Sequence, residues 1–581
     1  MMLSKEQTEI IDSYESRVQV LAVAGSGKTI TLCERVRELV RRGVAKDKIV
    51  ILSHSNAAID VLRARLGDMV KMKTIHSFAN EVLRYSGKRY TLISDAGRKK
   101  VIADVVAEAV PNIGSLKGVE FKSVVDAFST LLLQRGAHNI SGSICTVLGI
   151  EAQDLPALTG KIKKYYRKEK RKRHLLDYDD IPTLAEKTLS AGQSGGVSYT
   201  HLLVDEYQDM NHSQAALLVV LAEIIPNIMV FGDSMQSING FAEQEFHDLA
   251  VMVDDVTTLR LTQSFRLTRQ TAALVTAVLA SAAGENGDGR IRSSRDGLLP
   301  VYQEFTSQAL QEEFIGEQIT RLLASGVAPD DIVVLGRTRN VAREIERALR
   351  ARDIDARPID EVTSNVHIKC VLKLMVLAEK YIQLGFACFS QNRKAVMREM
   401  AAILGAFLDG DKAAECWRKL RGLIKNPSAL QGVYSMACKI YLYHKGQEFG
   451  DAKNQIRKEL DRYLPICMGF SCTTDLRQQI NMLWSRPPVA ISTIHGSKGK
   501  EWKYVFIANV VDGCIPFFRS GSADGIEEER RILYVAISRA IDRVFILRAP
   551  YESHIARERF DQLSRFLTPG VQKKYTTATP H

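Results

Sequence analysis

The sequence predicts an α/β protein with two parallel-sheet cores, each interrupted by a helical insertion. Three observations carry this. Short β-branched runs alternate with helical patterns, they fall into two groups at about 18–262 and 332–547, and one long stretch inside each group lacks strand signals. A chain of 581 residues is several times the length of one ordinary domain, so more than one core is expected.

In chain order, the runs at 18–24, 49–52, 201–204 and 228–231 read as buried strands of the first core. Those at 332–335, 489–491, 505–508 and 544–547 belong to the second. Each is four to seven residues long and bounded by polar residues or glycine, as strands covered on both faces require. Residues 28–42 and 56–66 carry helical periodicity between strands. Residues 86–180 and 362–485 read as the helical insertions. The expected boundaries are 1–85 and 181–265 for the first core, 266–361 and 486–581 for the second. Stretches 191–197 and 283–297, rich in Gly, Ser and Asn, read as exposed loops.

Composition narrows the class. Hydrophobic residues make up 45% and charged residues 25%, which excludes a disordered or collagen-like chain. The apolar stretch 371–389 is broken by Lys373, Glu379 and Lys380, so no membrane span is expected. The charged start MMLSKEQTEI carries no secretory pattern, and the nine cysteines show no C-x-x-C or metal-ligand spacing. A cytoplasmic, nucleoid-associated location follows as an expectation, with reduced thiols and no membrane partner. The net charge is +12, and residues 161–173 (KIKKYYRKEKRKR) supply +8 of it through nine basic residues and one acid. The strip reads as basic on both helical faces and as a phosphate-backbone contact, with Lys163, Lys164, Arg167, Lys168 and Arg171 as candidates.

Two motifs carry chemistry. Ala22-Val23-Ala24-Gly25-Ser26-Gly27-Lys28-Thr29 follows a strand and opens a helix, the setting of a phosphate-binding loop. Ala24, Gly25, Ser26, Gly27 and Ile30 line it, Lys28 reaches phosphates, and the Thr29 hydroxyl suits Mg²⁺. Further on, Leu202-Leu203-Val204-Asp205-Glu206-Tyr207-Gln208-Asp209 ends an apolar strand in two carboxylates. Asp205 would hold the metal and Glu206 would orient or deprotonate water. ATP and Mg²⁺ are therefore the expected ligands.

With the Asp205-Glu206-x-Gln208-Asp209 form, the sequence resembles the UvrD/Rep-like superfamily 1A DNA helicases. Further motifs stand in that family's order. They include Gln7 in LSKEQ, Ser55-Asn56-x-Ala58, Thr74-Ile75-His76-Ser77-Phe78 and Leu176-Asp177-Tyr178-x-Asp180. Gly232-Asp233-x-x-Gln236-Ser237-Ile238-x-Gly240-Phe241 and Gln263-Ser264-Phe265-Arg266 follow. Thr493-Ile494-His495-Gly496-Ser497-Lys498-Gly499-Lys500-Glu501-Trp502 and the run 529–540 (ERRILYVAISRA) complete the set. The resemblance implies RecA-like cores. It also implies adenine contacts from Gln7 and Phe265, a ribose contact from Glu501, and γ-phosphate sensing by Gln236. Arg539 takes the arginine-finger role, with Arg266 second. Asn56, His76, Phe241, His495 and Lys498 become candidate DNA contacts.

The function that follows is an ATP-dependent single-stranded DNA translocase and 3′→5′ helicase in repair, replication or recombination. Its expected partners are single strands and single-strand/duplex junctions. Two features depart from the family. The second insertion is short, and 548–563 shows no clear aromatic-tipped hairpin, with Tyr551, His554 and Ile555 in that region. Within the groove, His54 and Asn239 replace the usual aromatic residues. These departures keep two alternatives open. One is a helicase-like ATPase subunit that senses DNA ends with a nuclease, defence or repair partner. The other is a nucleotide-gated DNA-binding switch that does not translocate. The few residues after Arg565 predict no fused nuclease.

Overall fold

The computed structural model describes residues 3–87, 90–110, 118–132, 145, 147–148, 150–193, 196–238, 248–280, 291–359, 366–404, 410–425, 430–449, 489–553 and 558–577. The chain forms two compact units. The first comprises Met1–Gln303, Val510–Val544 and Glu552–His581, and the second Glu304–Asn509 and Phe545–Tyr551.

The first unit is built on six parallel strands: β1 (Arg17–Ala22), β2 (Ile49–Ser53), β3 (Lys71–Thr74), β4 (His201–Asp205), β5 (Asn227–Gly232) and β6 (Thr257–Leu261), in the order β3-β2-β4-β5-β1-β6. Successive side chains of one strand enter opposite cores, because the strand repeat is two residues. Leu203, Ile49 and Ile51 pack with Leu32, Val36 and Leu39 on one face. Leu202, Val204, Val50 and Leu52 pack with Phe78, Val82, Leu217 and Leu221 on the other. Both faces are covered, so the central strands are mainly apolar, with Gln19 of β1 buried and hydrogen-bonded to Tyr207 and Leu249. The edge strand β3 reads KMKT and has no fully buried residue, which is why it carries no apolar strand signal. A parallel sheet gathers the loops after its strands along one edge, and that edge holds the site.

The first helical insertion contains Asp95–Ala109, Gly118–Leu132 and Leu155–Lys172, packed around Val101, Ile102, Val105, Phe128 and Ile162. Two-residue strands, Thr91–Leu92 and Leu175–Leu176, pair in parallel at its entry and exit. They are too short to show in the sequence pattern.

The second unit holds the second parallel sheet: β7 (Ile332–Gly336), β8 (Ala356–Pro358), β9 (Val489–Thr493) and β10 (Trp502–Ile507), with β7 between β9 and β10. All five residues of β7 are buried. The described residues of its helical insertion form helices Val366–Gln391, Arg393–Leu404, Gly410–Lys425 and Leu430–Phe449. Their core centres on Phe389 and Trp417, stacked with centroids 4.3 Å apart.

The region 548–563, expected to lack an aromatic-tipped hairpin, holds two short strands among its described residues. Tyr551–Ser553 and Glu558–Phe560 form a two-stranded sheet. Three-residue strands are below the length at which alternation can be read. The tip, with His554 and Ile555, lies outside the described residues. No helix among the described residues is long and apolar enough to cross a membrane, and none of their His, Cys, Asp or Glu side chains cluster as a metal site.

Candidate nucleotide site and nucleic-acid contacts

The phosphate-binding loop connects β1 to the helix Lys28–Arg41. Gly25 and Gly27 both have positive φ, 74° and 78°, which a side chain would strain. A Cβ on Gly27 would meet Gln7 Nε2 at 2.7 Å, and one on Gly25 would meet Arg266 Cβ at 2.4 Å. Gly27 caps the helix without a side-chain hydrogen bond, so the first-turn N–H groups are left to an anion. Ser26 Oγ is buried in the loop and has no hydrogen-bond partner. The loop is held from outside: Val23 N donates to Leu261 O (3.0 Å), Phe265 N to Gly25 O (2.8 Å) and Ser264 Oγ to Ala24 O (2.8 Å).

Lys28 Nζ lies 2.5 Å from Glu206 Oε2. Burial works against its charge, but Glu206, Asp205 and Asp233 outweigh burial and hold the ammonium above its ordinary value. Asp205 ends β4 and is buried. Burial first, then Glu206, push its carboxyl up to about 7. Glu206 sits at φ 54°, a left-handed conformation a non-glycine residue rarely adopts, with its side chain 31% exposed. Gln208 Nε2 donates to Glu206 Oε2 (2.5 Å), and Gln208 Oε1 accepts from Asp233 N (3.0 Å). Asp233 follows β5, which stands between β4 and β1, so three acids surround one lysine.

Asp205 by itself suits a divalent cation shared with a bound phosphate: it is a hard oxygen donor whose ionised form is disfavoured without added positive charge. The uncapped helix start and the orphaned Ser26 hydroxyl fit a polyphosphate. Thr29 and Ile30 lie in the helix's first turn, half-buried.

Other predicted residues converge here. Gln7 is buried, accepts from Ser4 N (2.9 Å) and donates to Ser26 O (3.2 Å). Phe265 is 40% exposed beside the loop. Gln236 Nε2 donates to Asp233 Oδ2 (2.6 Å). Arg266 Nη1 donates to Ser538 O (3.4 Å). Arg539 is buried; its Nη2 donates to Gln236 Oε1 (3.2 Å) and its Nε to Val535 O (3.0 Å). Burial, then Arg266, lower its pKa to about 10, so it remains charged at neutral pH. Tyr534, to which the sequence motif assigns no role, donates to Asp233 and accepts from Ala24 N.

The nucleic-acid candidates are spread more widely. Asn56 is exposed at the start of the helix Asn56–Leu66. His76 is half-buried, with Nδ1 3.4 Å from Gln214 Nε2, and burial keeps it below the ordinary histidine value. Tyr178 stands edge-on to His76 at 6.0 Å and is 61% exposed. An aromatic within Asp-Tyr-x-Asp was the available signal for it. Phe241 and Asn239 lie outside the described residues. His495 and Lys498 are half-buried in a turn of the second unit, and Glu501 is exposed there.

The helix Leu155–Lys172 corrects the expectation that both its faces are basic. Ile162, Tyr166 and Lys170 are buried. Lys170 Nζ contacts Asp177 Oδ2 (2.6 Å) and Asp180 Oδ2 (2.5 Å), and Tyr166 donates to Asp177 (2.9 Å). Arg173 pairs with Glu169 and Asp104. Lys164, Arg167, Lys168 and Arg171 remain exposed on one stripe at i, i+3, i+4 and i+7, with Lys163 half-buried beside it.

Two family models match the chain: the UvrD/REP helicase N-terminal domain over residues 3–256, and the UvrD-like helicase C-terminal domain over 441–550. The chain is similar to the ATP-dependent DNA helicase PcrA of Staphylococcus epidermidis RP62A, with 24% identity over 97% of this chain and 86% of that protein. PcrA of Staphylococcus aureus MRSA252 is 23% identical with the same coverage. By these matches the chain belongs to the UvrD/Rep family of ATP-dependent DNA helicases.

Proposed function

We propose that the chain is a Mg-ATP-driven translocase on single-stranded DNA and a 3′→5′ DNA helicase, acting in DNA repair, replication or recombination. The observation that carries this reading is the crowding of Asp205, Glu206 and Asp233 around Lys28 at an uncapped helix start.

Backbone N–H groups at the uncapped helix start, from Gly27 onward, bind the phosphates. Lys28 exchanges Glu206 for a phosphate oxygen, which frees Glu206 to hold the attacking water. Asp205 and the Thr29 hydroxyl would hold Mg²⁺, which would supply positive charge beside the phosphates. Arg539 and Arg266 supply positive charge where it develops on the γ-phosphate, and Gln236 orients Arg539. Phe265 and Gln7 flank the adenine, and Glu501 takes the ribose.

On the nucleic-acid side, Asn56, His76, Phe241, His495 and Lys498 contact the single strand, and exposed Tyr178 adds a stacking platform. The stripe Lys164, Arg167, Lys168 and Arg171, with Lys163, takes duplex or backbone phosphates near the junction. On this reading residues 1–85 and 181–265 form the first motor core, 266–361 and 486–581 the second, and 86–180 and 362–485 their insertions.

The test is ATP hydrolysis with single-stranded DNA or RNA, strand displacement on 3′-tailed, 5′-tailed and blunt duplexes, and stopped-flow translocation on strands of increasing length. DNA-stimulated turnover, displacement from 3′ tails alone and an arrival time that grows with strand length are expected. ATP turnover with no length dependence would make the chain a nucleotide-gated binding switch.

A further inference from the structure

We propose that Tyr534 is a positioning residue for ATP hydrolysis, whose hydroxyl holds the phosphate-binding loop and, through Asp233 and Gln236, the Arg539 guanidinium in one geometry. This rests on the nucleotide reading above and adds a residue to it.

The hydrogen-bond directions follow from the donor inventory. Ala24 N lies 3.1 Å from the Tyr534 hydroxyl, and a backbone N–H can only donate. The single phenolic proton is therefore left for Asp233 Oδ2, also at 3.1 Å. The same Oδ2 accepts from Gln236 Nε2 at 2.6 Å, while Oδ1 accepts from Met235 N at 3.0 Å. Gln236 then has its carbonyl oxygen left for Arg539 Nη2, at 3.2 Å. Four hydrogen bonds thus link the phosphate loop to the arginine.

The tyrosine is rigidly placed. Leu533, Tyr534, Val535, Ala536 and Ile537 are all buried at the end of the helix Ala523–Ile537, so the ring cannot swing to another partner. Arg539 is tied to the same helix end through Val535 O. Burial pushes the phenol well above its ordinary pKa, so it keeps the proton it donates. A phenylalanine fills the same space. It would leave Ala24 N–H and Asp233 each short of a partner in a site with no solvent to replace it. Asp233 Oδ2 would then draw on Gln236 alone, and the Gln236 contact to Arg539 Nη2 would be set less firmly, while Val535 O and Ser538 Oγ still hold the guanidinium to its own helix end. Arginine placement matters most where charge develops on the transferred phosphoryl group, so turnover should suffer more than ATP binding.

The experiment measures steady-state ATP hydrolysis, with saturating single-stranded DNA, for the full chain and the variants Tyr534→Phe, Gln236→Ala and the double variant, alongside thermal melts. Tyr534→Phe should lower kcat by about ten- to a hundredfold while KM for ATP shifts less than about threefold. In the Gln236→Ala background the same change should cost less than about twofold, since the tyrosine acts through that glutamine. Unchanged kcat, full additivity of the two changes, or equal losses of ATP affinity and turnover overturn the proposal. So does a Tyr534→Phe chain that no longer folds, because the hydroxyl is then a structural group. An unmodified chain that hydrolyses no ATP fails the functional reading itself, which separates the two.

Discussion

Two lysines in the first unit meet clustered acids, and the clusters differ in how completely they are satisfied. Lys170 in the first helical insertion faces Asp177 and Asp180, and Asp177 also accepts from Tyr166. Asp180 Oδ2 further accepts from Asp177 N at 2.7 Å, which ties the loop to the helix. Lys28 faces three acids, and one of them, Asp205, is pushed up to about 7 by burial and by Glu206. The first cluster closes on itself and fastens the insertion's return to the core. The second leaves Asp205 without a side-chain hydrogen-bond donor among the described residues and its ionised form disfavoured, beside backbone donors that have no side-chain cap. A buried charge cluster saturated by its own hydrogen bonds is structural, and one short of positive charge is a binding site.

The strongest way to break the comparison is at the nucleotide site. Lys28→Ala should reduce DNA-stimulated ATP hydrolysis by about a thousandfold or more, and Glu206→Gln by a similar factor while nucleotide binding persists. Steady-state turnover and a fluorescent-nucleotide titration measure both, and normal hydrolysis by either variant sinks the assignment. Lys170→Met should instead act on stability, by roughly 3–5 kcal/mol, because Asp177 is left buried without its cation. Chemical denaturation reads this, and an unchanged midpoint would mean that the pair holds nothing together.

Asp205 sharpens the contrast through pH. The folded chain keeps a proton that an ordinary aspartate, with a pKa of 3.8, has released, so this group's contribution to stability falls as pH rises from about 4 to about 7. Asp205→Asn should remove that fall, gaining on the order of 4 kcal/mol over the parent between the two ends of the window. Parallel unfolding curves for the two chains at every pH would contradict it. The smallest effect belongs to the exposed stripe. Changing Lys164, Arg167, Lys168 and Arg171 to Gln should weaken DNA binding and flatten the slope of log K against log salt by about 3, leaving basal ATPase unchanged. An unaltered slope would remove the stripe from the interface.

Much of the site was legible in the sequence because its pieces are contiguous. Gly27-Lys28-Thr29 and Asp205-Glu206 each sit at the end of an apolar run, and a parallel sheet brings strand ends together whatever lies between them in the chain. The charge strip was legible only as a total. Helical periodicity places Ile162, Tyr166 and Lys170 on one face, but that this face is buried depends on Val101, Val105 and Phe128, which pack in the same core from other helices. The edge strand β3 and the paired strands Tyr551–Ser553 and Glu558–Phe560 escaped for the opposite reason: they are too polar or too short to carry a period.

By itself, then, the amino-acid sequence determined the α/β class, the two cores, the nucleotide loop, the carboxylates and the family. These depend on local order: a strand, a turn and a helix within a few residues of one another. Only the tertiary structure decided which partner each polar group holds. Tyr534 reads as one more apolar position in a helix until its hydroxyl is seen between Ala24 and Asp233, hundreds of residues away. Nine cations within thirteen residues read as one strip until burial takes Lys170 out of it. Pairing and burial are set by what the fold brings alongside a residue, and no local pattern records that.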